Sequence, residues 1–489
     1  MQESVENLDP TSEINLDTIK SRVVKGAAIL TARTFLMQAV SFGANALLTI
    51  FLEPAQYGVF FLVSAVIGFL TYFSDIGFAA SLIQKKEKLT ETELRTVFTT
   101  QQVLIIFLII VVILLTPLFK NFYHLDTSAV YLLWALTFSL FLSSLKIIPS
   151  VIMERKLEFN KLIIPQLVET VFFNVVVVYL AWKGFGINSF TIAVIVRGIV
   201  GLITTYLIQP WMPALSFSVA SLKSILKFGL PYQLNTLMAM IKDDGMTIFL
   251  GNILGTSGIG LLAWAQKWAF APLRFFMDQV IKVTFPAFSR LQDNKAELSN
   301  AVSKSILYIC LLVFPALVML IILAPSLVAI VPKYGKWSPA LLALSILTIN
   351  SALAAVTTPV TNTLNAIGKI SVTFKLMIMW TVLTWVIVPF LAIKYGVNGA
   401  ALGFVLVGLS SVIALGVALK YVQINYFVVL GKPTLVALLL GVVVFGIRSF
   451  VPVSTTQVIA MLAGGLITYL ISLSFVEPKI FKFLRKKDV

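Results

Sequence analysis

Apolar runs of about 20 residues recur from one end of the chain to the other, each closed by a short polar break. A helix of about that length, rising 1.5 Å per residue, is what crosses the hydrocarbon core of a bilayer. The pattern predicts fourteen spans, at residues 24–52, 56–83, 97–119, 128–152, 162–182, 187–209, 229–253, 258–285, 304–326, 338–364, 370–393, 397–420, 432–450 and 456–476. The connections are too short to hold an extramembrane catalytic domain. The expected fold class is all-α: a polytopic membrane protein with about 14 transmembrane helices. They form two pseudo-symmetric six-helix lobes plus two C-terminal helices. The expected divisions are a cytoplasmic tail at 1–23, an N-terminal lobe at 24–210, a linking amphipathic helix at 211–228, a C-terminal lobe at 229–420, and the last two spans with a basic tail at 421–489.

Two lobes follow from an internal repeat. Thr49-Ile50-Phe51-Leu52 closes the first span and Thr247-Ile248-Phe249-Leu250 closes the seventh. Pro149 and Pro359 lie 210 residues apart, near the ends of spans 4 and 10. Gly186-Ile187-Asn188 and Gly396-Val397-Asn398 open spans 6 and 12 at the same offset of 210. Each repeat holds an even number of spans, so the two share one topology and an axis along the membrane normal relates them, as in several transporter folds.

Charge sets the orientation. Of the 37 Lys and Arg residues, 23 fall in breaks or adjoining span ends on the side of the N-terminus, 6 on the opposite side, and the remaining 8 are assigned to spans. Basic residues accumulate on the cytoplasmic side, which places both termini there. The net charge of +16 is explained the same way, without nucleic acid. Mean hydropathy is +0.97, and only 12% of residues are charged, so each charge inside a span carries information. The single cysteine, Cys310, excludes a disulfide framework, and the single histidine, His124, excludes a multi-His metal site. No cofactor and no metal are expected.

Residues 242–278 hold the densest set of such charges. Lys242, Asp243 and Asp244 interrupt span 7. Lys267, Arg274 and Asp278 fall on one face of span 8, with Trp264 flanking that face and Trp268 nearby. Arg33 and Asp75 lie at similar depth in spans 1 and 2 and are a plausible pair, while Glu169 in span 5 can pair with either Lys146 in span 4 or Arg197 in span 6. Arg33, Lys242, Lys267, Arg274, Trp264 and Asp278 are the candidate substrate-binding residues. Asp75, Asp243, Asp244, Lys146, Glu169 and Arg197 are candidates for ion coupling or for structural pairs. Cations and carboxylates nearly balance, which suits a large, partly anionic, hydroxyl-rich substrate held by guanidinium forks.

Several motifs resemble a known family. They are Phe51-Leu52-Glu53-Pro54-Ala55-Gln56-Tyr57-Gly58, Phe73-Ser74-Asp75-Ile76-Gly77-Phe78-Ala79-Ala80-Ser81-Leu82-Ile83-Gln84, Leu89-Thr90-Glu91, Met153-Glu154-Arg155-Lys156-Leu157-Glu158-Phe159 and Lys183-Gly184-Phe185-Gly186. Together they are similar to the polysaccharide transporter (Wzx-type) family of the MOP flippase superfamily, in the branch related to colanic and teichuronic acid exporters. The resemblance implies a non-enzymatic flippase of the bacterial inner membrane. It implies export of an undecaprenyl-diphosphate-linked oligosaccharide, with membrane lipids, a glycan polymerase and other assembly proteins as partners. A cation-coupled small-molecule antiporter of the MATE type is the first alternative. A membrane enzyme of polysaccharide assembly is the second, weakened by the absence of a large loop, of an Asp-x-Asp loop and of a usable histidine.

Overall fold

The computed structural model describes residues 16–74, 77–85, 87–223 and 237–478, with side chains from Arg33 onward except at 278, 279, 282 and 283. Helix dominates, and no strand occurs among the described residues. In chain order the first helices are α1 (Leu16–Phe51), α2 (Pro54–Ser74), α3 (Phe78–Gln84), α4 (Glu91–Phe122), α5 (Thr127–Leu145), α6 (Ile147–Arg155), α7 (Phe159–Trp182) and α8 (Asn188–Ile208). The next two, α9 over 237–254 and α10 over 256–290, are separated by Gly255. After them come α11 (Lys295–Ile330), a 3₁₀ turn (Tyr334–Ala340) and α12 (Leu341–Ala366). The last are α13 over 370–395, α14 over 397–409, α15 (Ser411–Ala418), α16 (Tyr426–Phe450) and α17 (Thr455–Val476).

Twelve helical stretches are long and apolar enough to cross a membrane. Two of them contain a glycine at positive φ, Gly255 (φ 66°, ψ 178°) and Gly396 (φ 59°, ψ −138°), where a side chain would be strained and the chain leaves the helix. Dividing each stretch at its glycine yields the fourteen spans expected. Gly186, which opens α8, has φ 56°, so the 210-residue offset between Gly186 and Gly396 is also a repeat of backbone geometry. Large apolar side chains are exposed on the flanks of these helices, among them Leu114, Ile393 and Val442. Only lipid tails accommodate so much exposed hydrocarbon, and the chain is a multi-pass membrane protein.

The helices pack into two compact units, Met1–Ser257 and Gly258–Val489. In the first, α1 and α8 pack on α7, and α5 packs on α8. Helix α9 belongs to this unit by its packing. Its first turns lie on α2, the Tyr123 hydroxyl donates to the Ile248 carbonyl at 3.0 Å, and a Cβ on Gly251 would sit 2.6 Å from Leu62. The packing division thus falls at 257/258, whereas the repeat placed the seventh span in the second lobe.

Two local expectations are corrected. Helix α1 begins at Leu16, inside the stretch read as a tail, while residues 1–15 and 479–489 lie outside the described residues. The linking segment is not helical from 211. Residues 210–218 run without helix, and helix begins only at 219; positions 224–228 lie outside the described residues. Pro210 and Pro213 bring no N–H and resist helix. The segment instead docks on α4. Trp211 packs edge-on against Phe98, and the Ser216 and Ser218 N–H groups donate to the hydroxyls of Thr99 (3.1 Å) and Thr96 (3.2 Å).

In the second unit α11 is central, with α12, α16 and α17 packed on it. The α16–α17 hairpin is tied at both ends. Lys432 meets Glu477 at 2.8 Å at one end. At the other, fully buried Gln457 donates from Nε2 to the carbonyls of Arg448 (2.9 Å) and Val451 (2.7 Å), which the end of α16 leaves without helical partners. Gln457→Leu orphans both carbonyls and is expected to destabilise the protein by about 1–3 kcal/mol. The readout is the thermal unfolding midpoint in detergent, and an unchanged midpoint would mean that water or lipid headgroups already satisfy those carbonyls.

Candidate functional site

The fourth span bends because of one missing donor. Pro149 has no N–H to give to the Leu145 carbonyl one turn earlier. The freed carbonyl is taken by the Tyr206 hydroxyl of α8 at 2.9 Å. Lys146 sits at this break, between α5 and α6, with φ −87° and ψ −9°. Its side chain reaches Glu169 on α7 and forms a close ion pair, with both groups about seven-eighths buried (12% and 13% exposed). Glu169 also faces Arg197 of α8, whose Nε lies 3.6 Å from Oε2. The Arg197 guanidinium lies 5.8 Å from the centre of the Phe173 ring. Glu169 therefore pairs with both of its candidate cations.

Gly201, one turn beyond Arg197, makes room for this carboxylate. A Cβ there would stand 2.0 Å from Oε1 and 2.5 Å from Cγ of Glu169. Without a side chain at that position, the glutamate lies flat on α8.

Around this bridge is a cavity of about 360 Å³ contained within the first unit. Its polar lining is Arg33 from α1, Ser143, Lys146 and Ser150 from the bent span, Gln166, Glu169 and Thr170 from α7, and Arg197 and Thr205 from α8. Met37, Ile147, Met153, Leu162 and Pro165 supply the apolar part. Three cations face one carboxylate, so the lining carries a net charge of +2. Two further groups are unsatisfied: the Nε of Arg33 and the Oε1 of Gln166 are buried without a hydrogen-bond partner among the described residues. Buried polar atoms in that state are ready to bind a ligand or water. The arrangement can hold an anion with hydroxyl groups attached.

The serines, Gln166 and the threonines were not singled out in the sequence. A signal for them exists. Ser143, Lys146 and Ser150, then Gln166, Glu169 and Thr170, and then Arg197, Gly201 and Thr205 each recur at helical spacing on one face. Asp75, the expected partner of Arg33, lies outside the described residues.

The other candidates lie elsewhere. Lys242, Asp243 and Asp244 fall in a π-helical turn, Ile241–Gly245, that widens α9. Lys242 meets Asp243 at 2.8 Å, and Asp243 is 66% exposed. Asp244 turns the other way, onto Gly68 of α2, where a Cβ would be 3.2 Å from its Oδ2. The adjacent aspartates thus part, as neighbouring helical positions must. Lys267 and Arg274 are exposed positions of α10, in the second unit. Trp264, a candidate substrate-binding residue, is packed in the core: it is 2% exposed and stacked on Trp337 at 5.5 Å and 13°. The Asp278 side chain lies outside the described residues.

Residues 47–342 match the family described as "Polysaccharide biosynthesis protein". The lipopolysaccharide biosynthesis protein WzxC of Escherichia coli (strain K12) is 25% identical over 408 residues, covering 80% of this chain and 79% of its own length. The succinoglycan biosynthesis transport protein ExoT of Rhizobium meliloti (strain 1021) is 21% identical over 387 residues, covering 79% and 76%. Among solved structures, the lipid II flippase MurJ in an inward closed conformation aligns with a TM-score of 0.77 at 16% identity, over 93% of this chain and 100% of that one. An inward-facing multidrug resistance MATE family transporter of the MOP superfamily aligns at 0.63 and 18% identity, over 78% and 94%. At these identities the structures establish the shared fold.

The ion pair at the centre of the cavity has a stability signature. Lys146→Met leaves a buried carboxylate with one more distant cation and is expected to cost about 3–5 kcal/mol. The double variant Lys146→Met/Glu169→Gln removes the stranded charge and should recover most of that loss. Unfolding in detergent measures both, and a double variant as unstable as the single one would show that the pair is not the source.

Proposed function

The chain belongs to the polysaccharide biosynthesis protein family, and on that premise we propose that it is a flippase for a lipid-linked polysaccharide precursor. The substrate is an undecaprenyl-diphosphate-linked oligosaccharide. It passes from the cytoplasmic to the outer leaflet of a bacterial inner membrane, and the protein works by alternating access. A diphosphate and its sugars cannot enter hydrocarbon without losing their hydration, so a polar route inside the helix bundle must replace it. The observation that carries the reading is the cavity of the first unit, net +2 and lined by serine, threonine and glutamine. Guanidinium forks bind phosphate oxygens, and the hydroxyls and amide suit sugars. The names of WzxC and ExoT, one for lipopolysaccharide biosynthesis and one for succinoglycan biosynthesis transport, support the same substrate class.

Arg33 is the first residue assigned to the diphosphate, because its Nε is buried without a partner among the described residues. Lys267 and Arg274 are proposed as further head-group ligands, on the second unit, and Lys242 as one on α9. Asp75, Asp243 and Asp244 are proposed for ion coupling. A glycan polymerase and other assembly proteins are the proposed protein partners. The fold is shared with MATE transporters, but a net-cationic cavity repels the cations that an antiporter of that type would couple to or carry. No bond is made or broken in this cycle.

Reconstitution with a defined lipid-linked oligosaccharide tests the reading. Wild-type protein is expected to move it between leaflets, and Arg33→Ala or Arg274→Ala to lower the rate at least about tenfold with protein levels unchanged, as for the loss of a charged hydrogen bond. Full transport by Arg33→Ala would remove the cavity from the pathway. Orientation has its own test. Cys310, the native cysteine, is buried, so background labelling is low. Cysteines replacing exposed Lys88 and Lys183 should label from the cytoplasmic and outer sides respectively; labelling from one side would overturn the topology.

A further inference from the structure

A site built for a diphosphate should not already contain an anion, yet this one does. Glu169 occupies the centre of the cationic set, bridging Lys146 and Arg197. Its position is prepared by the absence of a side chain at Gly201, where a Cβ would stand 2.0 Å from the carboxylate oxygen. Against this bridge, the Arg33 Nε and Gln166 Oε1 remain buried and unsatisfied among the described residues. One carboxylate thus holds two of the three cations, and one atom each of Arg33 and Gln166 is left without a partner among the described residues.

We infer that Glu169 is an internal competitor for the substrate's diphosphate, a specificity-determining residue that occupies the phosphate position when the cavity is empty and must swing off Lys146 and Arg197 before a phosphate binds there. The inference deepens the flippase reading and rests on it. Three features of the site fit the role. A carboxylate presents two oxygens to its cations, much as a phosphate does. The glutamate side chain has three rotatable bonds, so it can withdraw while its helix stays in place. Arg197 is 53% exposed and holds Glu169 at 3.6 Å, so this half of the bridge is looser than the Lys146 half and less enclosed by protein.

Competition of this kind solves a problem that three free cations would create. A diphosphate locked onto an uncompensated cluster would bind tightly and leave slowly, and transport needs release as much as capture. Returning Glu169 to the bridge lowers the cost of letting the substrate go. It also excludes ligands with a single weak negative charge, because they cannot displace a carboxylate from two cations, whereas a diphosphate can.

Binding of inorganic pyrophosphate to the purified full chain in lipid nanodiscs, by titration calorimetry, tests this directly. Glu169→Gln keeps the size of the side chain and removes the competitor; it is expected to bind pyrophosphate about tenfold tighter than wild type, as for one charge-assisted contact. The same variant is expected to flip lipid-linked oligosaccharide several-fold more slowly in proteoliposomes, because release becomes limiting. Gly201→Ala retains every charge and pushes the carboxylate off α8, so it should tighten pyrophosphate binding in the same direction. Arg33→Ala should weaken it. Binding that is unchanged or weaker in both Glu169→Gln and Gly201→Ala overturns the inference. Tighter binding in these variants, with no flipping by wild type, would leave the competitor in place and remove the flippase reading. Flipping by wild type with no tightening does the reverse.

Discussion

A charge in hydrocarbon must be paired or hydrated, and the first unit is organised around one carboxylate that meets this requirement for two cations. Glu169 draws Lys146 from the bent fourth span and Arg197 from α8 onto α7, so three helices converge on one point. The backbone is shaped to allow it. Pro149 breaks the span beside Lys146, the Tyr206 hydroxyl repairs the carbonyl that the break exposes, and Gly201 clears space for the glutamate. A proline, a tyrosine and a glycine with no charge of their own thereby become part of an electrostatic site.

The polar level lies between two apolar ones. Leu52, Val63, Leu132 and Phe190 belong to one core cluster, and Phe78, Leu94, Ile148 and Trp211 to another. Along α5 and α6 the order runs from buried Ala129, Val130, Leu132 and Leu133 to polar Ser143, Lys146 and Ser150, with Ile152 in the second cluster. On α7 polar positions 166–170 precede apolar Val177 and Ala181, and on α8 Phe190 and Ala193 precede 197–205. These helices run alternately up and down, so the polar segments meet at one depth. Apolar packing fixes the bundle on either side, and the cavity is held open by elements that do not depend on its contents.

Span number and class were legible in the sequence because a bilayer imposes one length and one composition on every crossing helix. The glycine breaks were legible too: Gly186 and Gly396 marked the repeat by position, and both proved to be at positive φ. The linker was not, because Leu215 and Leu222 fit a helical period, whereas Pro210 and Pro213 decide the backbone. The aromatic at 264 was obscured for a different reason. Composition alone does not distinguish a ring that lines a cavity from one that stacks in the core, and only Trp337, 73 residues away in sequence, settles it. Glu169 was legible as an intramembrane acid with two possible partners. That it would take both at once depends on the bend at Lys146 and the gap at Gly201, which are features of three-dimensional packing.

The sign of the cavity's charge bears on what this fold can carry. The architecture is common to a lipid II flippase and to a multidrug resistance transporter, so the helix bundle does not select the cargo. Selection falls to the few polar residues that a membrane bundle tolerates. Here three cations against one carboxylate leave a surplus that repels cations at any distance within the low-dielectric interior, where charge–charge energies are several times those in water. A lone buried carboxylate would attract a proton or a metal cation. The same carboxylate bridged by Lys146 and Arg197 is already neutralised, while the Nε of Arg33 has no hydrogen-bond partner among the described residues. A cavity of net positive charge therefore requires no change in the fold, only basic residues around a glutamate that one glycine allows to lie flat.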